Sequence, residues 1–216
     1  MGLEGGAPLV FLWHGFGQTA VGVERLIRPE RDWPGAIVVA PEGQSRRFAQ
    51  FGQTSRKGWQ VRTGELRDRD LAFFDSMLAE LSSARCVDPA RVYSTGFSNG
   101  AFFTNLLGCV RPDALAAIAP VAGGGPFNES CEGSMPVLIT HGEQDRVVPF
   151  DSARTSLEHW KRQNSCRALD PEHDRCVASS GCDSAVTFCS HGGGHVWPRQ
   201  TTSSLVSFFE SVPRAK

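Results

Sequence analysis

Six short apolar runs recur along the chain: Pro8 to Trp13, Ala36 to Ala40, Val92 to Thr95, Ala116 to Val121, Val137 to Thr140 and Val186 to Cys189. Several are apolar at consecutive positions. A strand with one face in water alternates apolar and polar residues, whereas a strand buried on both faces does not. Runs of this kind, separated by helical patterns, build βαβ units and a mostly parallel sheet of about six strands flanked by helices. The intervening helices are read as follows. One runs from Asp68, as N-cap, to about Leu81, with Leu71, Phe74, Leu78 and Leu81 on one face. Another follows Ser98 and carries Phe102, Phe103, Leu106 and Leu107. Two more span about Ser152 to Arg162 and about Thr202 to Val212.

The 216 residues suit one domain, 1–216, since repeats and low-complexity linkers are absent from the sequence. The formal net charge is −1, which argues against a nucleic-acid surface. Arg46-Arg47 followed by Arg56-Lys57 reads as a solvated loop. No apolar run approaches the roughly 18 residues that a membrane span requires. Met1-Gly2-Leu3-Glu4 lacks the basic region and apolar core of a secretory leader.

Gly96-Phe97-Ser98-Asn99-Gly100 matches G-x-S-x-G directly after a strand and at the start of a helix. That setting places a serine on a sharp turn with its hydroxyl exposed above the sheet. Small neighbours let strand and helix approach closely, and the helix N-terminus offers N–H groups to a developing oxyanion. The plain alternative is a serine that only caps a helix after a glycine-rich turn, and the strand-turn-helix setting weighs against it.

A serine nucleophile needs a base, and the base needs an orienting acid. The chain order for a serine on such a turn is Ser, then Asp or Glu, then His. Of six histidines, only His191 and His195 follow the last apolar run. His195 lies in the loop Gly192-Gly193-Gly194-His195-Val196-Trp197-Pro198 and is read as the base, while His191 is read as structural. For the acid, Asp145 sits just past a strand-ending turn in His141-Gly142-Glu143-Gln144-Asp145. Glu143 is its rival, and Asp151 is read as a helix cap. Oxyanion donors are assigned to the backbone N–H groups of Phe16, in Trp13-His14-Gly15-Phe16-Gly17-Gln18, and of Asn99. Trp59 and Trp197 are candidates for a stacking wall in the substrate site, with core packing as the alternative.

Taken together, His14-Gly15-Phe16-Gly17-Gln18, Gly96-Phe97-Ser98-Asn99-Gly100, Ala119-Pro120-Val121-Ala122-Gly123, His141-Gly142 with Asp145 and Val148-Pro149, and Gly193-Gly194-His195-Val196-Trp197-Pro198 resemble the feruloyl esterase and polyhydroxybutyrate depolymerase group of secreted α/β-hydrolases. The resemblance spans nearly the whole chain. It implies an α/β-hydrolase fold and a serine carboxylic ester hydrolase working through an acyl-enzyme. A feruloyl (hydroxycinnamoyl) ester is the first substrate, with a polyhydroxyalkanoate polyester or acetylated xylan as alternatives. It implies no cofactor and no metal, and an ester substrate as the only partner of a monomer. Related chains carry about two more strands ahead of the one at Pro8, so N-terminal strands are expected to be missing here. A peptidase could use the same triad but fits the resemblance less well. A non-catalytic binding module on the same fold is disfavoured by the intact Ser98, Asp145 and His195. The stretch between Val121 and Pro136 is short and glycine-rich, which leaves no room for a lid domain.

Seven cysteines favour an oxidising compartment and therefore secretion. Cys166, Cys176, Cys182 and Cys189, with His191 and His195, lack a close C-x-x-C pair and make a poor zinc cluster. A hairpin turning near Gly181 would place Cys176 opposite Cys189. Cys166 can then meet Cys182, and Cys109 can meet Cys131, leaving Cys86 odd. Spacing alone does not fix this connectivity.

Overall fold

A computed structural model of the protein describes residues 6–47, 54–127, 129–169 and 176–212. The chain begins with β1 (Ala7–Trp13), α1 (Ala20–Ile27), α2 (Pro29–Asp32), β2 (Ile37–Val39) and a small antiparallel ribbon, β3 (Ser45–Arg46) with β4 (Arg56–Lys57). It continues through α3 (Arg69–Ala84), β5 (Val87–Phe97), α4 (Asn99–Val110), β6 (Ala117–Val121), β7 (Val137–Gly142) and α5 (Phe150–Gln163). The last elements are β8 (Ala168–Leu169), β9 (Cys176–Ser180), β10 (Val186–His191) and α6 (Thr201–Ser211).

All six apolar runs are strands, and they form the parallel part of one sheet in the order β2-β1-β5-β6-β7-β10. Two short antiparallel strands that the apolar runs do not announce, β9 and β8, extend it past β10. Burial on both faces explains the consecutive apolar residues. Leu9, Phe11 and Trp13 of β1 pack on one side with Trp59, Phe74, Phe103 and Trp160. Val10 and Leu12 pack on the other with Val23, Ile27, Trp33, Leu205 and Phe209. Each large side chain so buried contributes roughly 1.5–3 kcal/mol.

Some local expectations change. Asp68 precedes α3 but makes no capping hydrogen bond. Its carboxylate instead takes Gln60 Nε2 at 2.8 Å and Gly64 N at 2.8 Å, closing the turn ahead of the helix. Asp151 lies in the first turn of α5 and does not cap it; Pro149 occupies the cap position. Between β6 and β7 the described residues form neither helix nor strand, so this connection carries no lid element there.

Because the six main strands are parallel, their C-terminal ends share one edge, where the residues after the strands include His14, Ser98, Ala122, Glu143 and Gly192. At that edge β5 and α4 lie against β1 with no space for side chains. A β-carbon on Gly96 would stand 2.5 Å from the carbonyl of Gly100, and one on Gly100 would run into the carbonyl oxygen of Trp13. Gly100→Ala is therefore expected to lower the unfolding free energy by roughly 1–3 kcal/mol or more. Gly35→Ala, where a β-carbon meets nothing within 4 Å, should stay within about 0.5 kcal/mol of wild type. Urea unfolding measures both.

Candidate active site

Ser98 joins β5 to α4 with φ 55° and ψ −117°, a left-handed conformation that costs a non-glycine residue about 1–3 kcal/mol. Its surroundings hold it there. Ser98 N donates to Val121 O at 3.0 Å, and Ser98 O accepts from Ala101 N at 2.9 Å and Phe102 N at 3.2 Å. The side chain lines a cleft of about 800 Å³ together with Phe16, Asn99, Phe102, Phe127 and Val148.

Asn99 is the first residue of α4, so its N–H has no intrahelical acceptor. Its side chain has a role that the motif does not announce. Oδ1 accepts from Trp59 N at 2.7 Å and Nδ2 donates to Trp59 O at 3.0 Å, clamping the 54–62 segment to the elbow. Buried Arg46 reinforces the clamp by donating to Trp59 O and to Glu65 at 3.2 Å. Phe16 lines the same cleft, in a loop fixed by Gly15 N to Gln18 Oε1 at 2.9 Å and Gly17 N to Lys57 O at 2.8 Å. His14 anchors that loop from below. Its Nε2 accepts from Gly43 N at 2.9 Å, which leaves Nδ1 to donate to Gly15 O at 2.8 Å.

Asp145 and His195 meet. His195 Nδ1 lies 2.6 Å from Asp145 Oδ2, and the imidazole packs against the ring of Phe97, 4.8 Å between centroids, one residue from Ser98. Asp145 Oδ1 accepts from Val147 N at 2.8 Å and Val148 N at 2.9 Å. Burial pushes this carboxyl up, but the His195 hydrogen bond and the Val148 and Val147 N–H groups outweigh it and hold the pKa below the usual carboxylate range. Glu143, the rival acid, is exposed and accepts from Ser190 Oγ at 2.6 Å. The loops of Asp145 and His195 are stitched together by Glu143 N to His191 O at 2.8 Å and Gln144 N to Gly193 O at 3.1 Å. A β-carbon on Gly142 would strike Gly193 and Gly194 oxygens, so this close approach of the two loops requires glycine at position 142. His191 Nδ1 accepts from Gly193 N at 3.2 Å, a structural bond.

The stacking wall is corrected. Trp59 is fully buried, packs against Trp13 and Phe103, and donates to His14 O at 3.0 Å. Trp197 is 8% exposed, sits edge-on to Phe97, and donates to Thr202 Oγ1 at 3.1 Å. Both are structural supports, and the aromatic surface of the cleft is made by Phe16 and the stacked pair Phe102 and Phe127, 5.4 Å apart. The cysteines pair as Cys109–Cys131, Cys166–Cys182 and Cys176–Cys189, with Cys86 free and exposed. Cys109, Cys131 and His159 cluster, but the two sulfurs are bonded to each other and offer no thiolate.

A parallel sheet with helices on both faces, an elbow serine after its strand β5 and a carboxylate–imidazole pair on later loops define an α/β-hydrolase. The dienelactone hydrolase family model matches residues 31–168 of this chain. The chain belongs to that family. Feruloyl esterase C of Emericella nidulans is 29% identical over 170 residues, covering 74% of this chain and 57% of that protein. Feruloyl esterase D of Neurospora crassa is 28% identical over 214 residues, covering 87% and 67%. Among solved structures, Arabidopsis thaliana SOBER1 matches with TM-score 0.73 and 18% identity over 94% of this chain and 98% of that one. An acetyl xylan esterase from Aspergillus awamori matches with TM-score 0.71 and 17% identity over 95% and 90%.

Acid should destabilise this site in two steps. Burial lowers the pKa of both His14 and His141, so the unfolded chain takes up protons that the fold refuses as pH falls through the ordinary imidazole value, about 6.5. Asp145 is depressed, so its stabilisation is present above the ordinary carboxylate value, about 3.9, and is lost as pH falls through the lower folded value. Melting temperature against pH should therefore fall in both windows, and Asp145→Asn should flatten the second while leaving the first.

Proposed function

We propose that this protein is a serine carboxylic ester hydrolase acting through an acyl-enzyme. The observation that carries this reading is the 2.6 Å contact of His195 Nδ1 with Asp145 Oδ2 beside the Ser98 elbow. With its proton on Nδ1 facing the carboxylate, His195 presents a bare Nε2 as base. It takes the Ser98 proton as Oγ attacks the ester carbonyl, and the oxyanion is received by the N–H groups of Phe16 and Asn99. Collapse expels the alcohol, which leaves with the proton from His195. Water, deprotonated by the same imidazole, then releases the acid and regenerates Ser98.

We assign the substrate as an ester of a hydroxycinnamic acid such as ferulate. Two observations support it: the relatives named feruloyl esterase C and D, and the Phe102–Phe127 pair in the cleft. Arg62, 5.1 Å above the Phe127 ring, stiffens that surface. Three disulfides fit a protein made for an oxidising compartment, and secretion is part of the proposal.

Ser98→Ala should lower kcat on p-nitrophenyl acetate by at least about 10³-fold. Equal rates in variant and wild type would remove the ester-hydrolase reading. In a panel of methyl ferulate, acetylated xylan and a hydroxybutyrate oligomer, methyl ferulate should show the highest kcat/KM; a higher value on either of the others reassigns the acyl group.

A further inference from the structure

Asp145 Oδ2 lies between two imidazoles. His195 Nδ1 is 2.6 Å away, and on the buried side His141 Nε2 is 3.4 Å away. The second ring takes no part in the proton path above. His141 sits fully buried near the end of β7, edge-on to Phe150. Burial holds its pKa below the ordinary imidazole value, with Val148 O and Asp145 opposing that shift and His195 adding to it. The ring is therefore neutral at pH 7 and carries one proton. Val148 O, 2.9 Å from Nε2, can only accept, so the proton is on Nε2; Nδ1 is buried with no partner among the described residues and is the bare nitrogen.

This geometry closes the acid loop on itself. Asp145 Oδ1 takes the N–H groups of Val147 and Val148, and the carbonyl of Val148 takes His141 Nε2–H. The same N–H passes beside Oδ2, the oxygen that holds His195. Resting on the serine-hydrolase reading above, we infer that His141 is a positioning residue. As a neutral donor, it locks the Asp145–Val148 turn and orients Oδ2 towards His195. Neutrality is what suits a histidine to this place. A permanent cation beside Oδ2 would compete with the imidazolium that forms on His195, and an aliphatic residue would leave the Val148 carbonyl buried without a donor. An error near 1 Å in the resulting placement of His195 costs on the order of a hundredfold in rate.

The test compares two substitutions in the full chain. His141→Gln keeps a donor nitrogen at similar reach; His141→Leu fills the space without one. Two readouts apply: kcat and KM on p-nitrophenyl acetate, and the far-downfield proton NMR resonance of the short His195–Asp145 hydrogen bond. His141→Leu should lose about 10–100-fold in kcat, with KM within about twofold, and should lose the downfield resonance. His141→Gln should restore the resonance and about tenfold of the rate, the donor being what matters. Equal behaviour of the two variants in both readouts, or a loss expressed mainly in KM, overturns the inference. Should His141→Leu not fold, loss of the resonance in folded His141→Gln overturns it as well. A wild-type rate unaffected by Ser98→Ala ends the ester-hydrolase reading instead, and the NMR comparison still judges His141.

Discussion

The strained turn at Ser98 is the constraint on which the site depends. With φ 55° and ψ −117°, the residue gains nothing from its own local sequence. The conformation persists because β5 and α4 are pressed against β1 through Gly96 and Gly100, and because Val121 O anchors the Ser98 N–H from the neighbouring strand. Those contacts rest in turn on the two apolar layers that bury both faces of the sheet. Core packing therefore holds a hydroxyl at the strand edge, where the cleft opens. Buried area becomes site geometry by that route.

Most of this was legible in the sequence, for identifiable reasons. A strand buried on both faces writes itself as consecutive apolar residues, and all six such runs are strands. The pairing of Asp145 with His195 followed from chain order and loop position, and Glu143 separates from it because its side chain turns outward to Ser190. Elements with weaker signals were not legible. β8 and α2 are very short, and β9, half-buried and polar at its end, is legible only as the first arm of the hairpin at Gly181. α1 begins Ala-Val-Gly-Val, a pattern that could equally be strand.

Side-chain roles were harder to read than elements. Trp59 and Trp197 are large aromatics, the latter two residues from His195, but their indole N–H groups are satisfied inside the protein, at His14 O and Thr202 Oγ1. Nothing in composition distinguishes a tryptophan facing substrate from one propping up the loop beneath it. The Asn99 clamp on Trp59 joins residues forty positions apart, and the His141 bond to Val148 depends on how a turn closes. Such pairings become visible only in three dimensions. The cysteines were the exception, because the hairpin register that sets Cys176 opposite Cys189 can be reasoned from its turn at Gly181.

The central claim is that Ser98, activated by His195 and Asp145, is the nucleophile. Covalent labelling tests it most directly. The intact protein is treated with a fluorophosphonate, which a serine becomes reactive towards only when an adjacent base activates it, and the peptides are mapped by mass spectrometry. The account predicts a single adduct, on Ser98, that forms far more slowly in His195→Ala. An adduct at another residue, or an unlabelled Ser98 in protein that still hydrolyses esters, would contradict it.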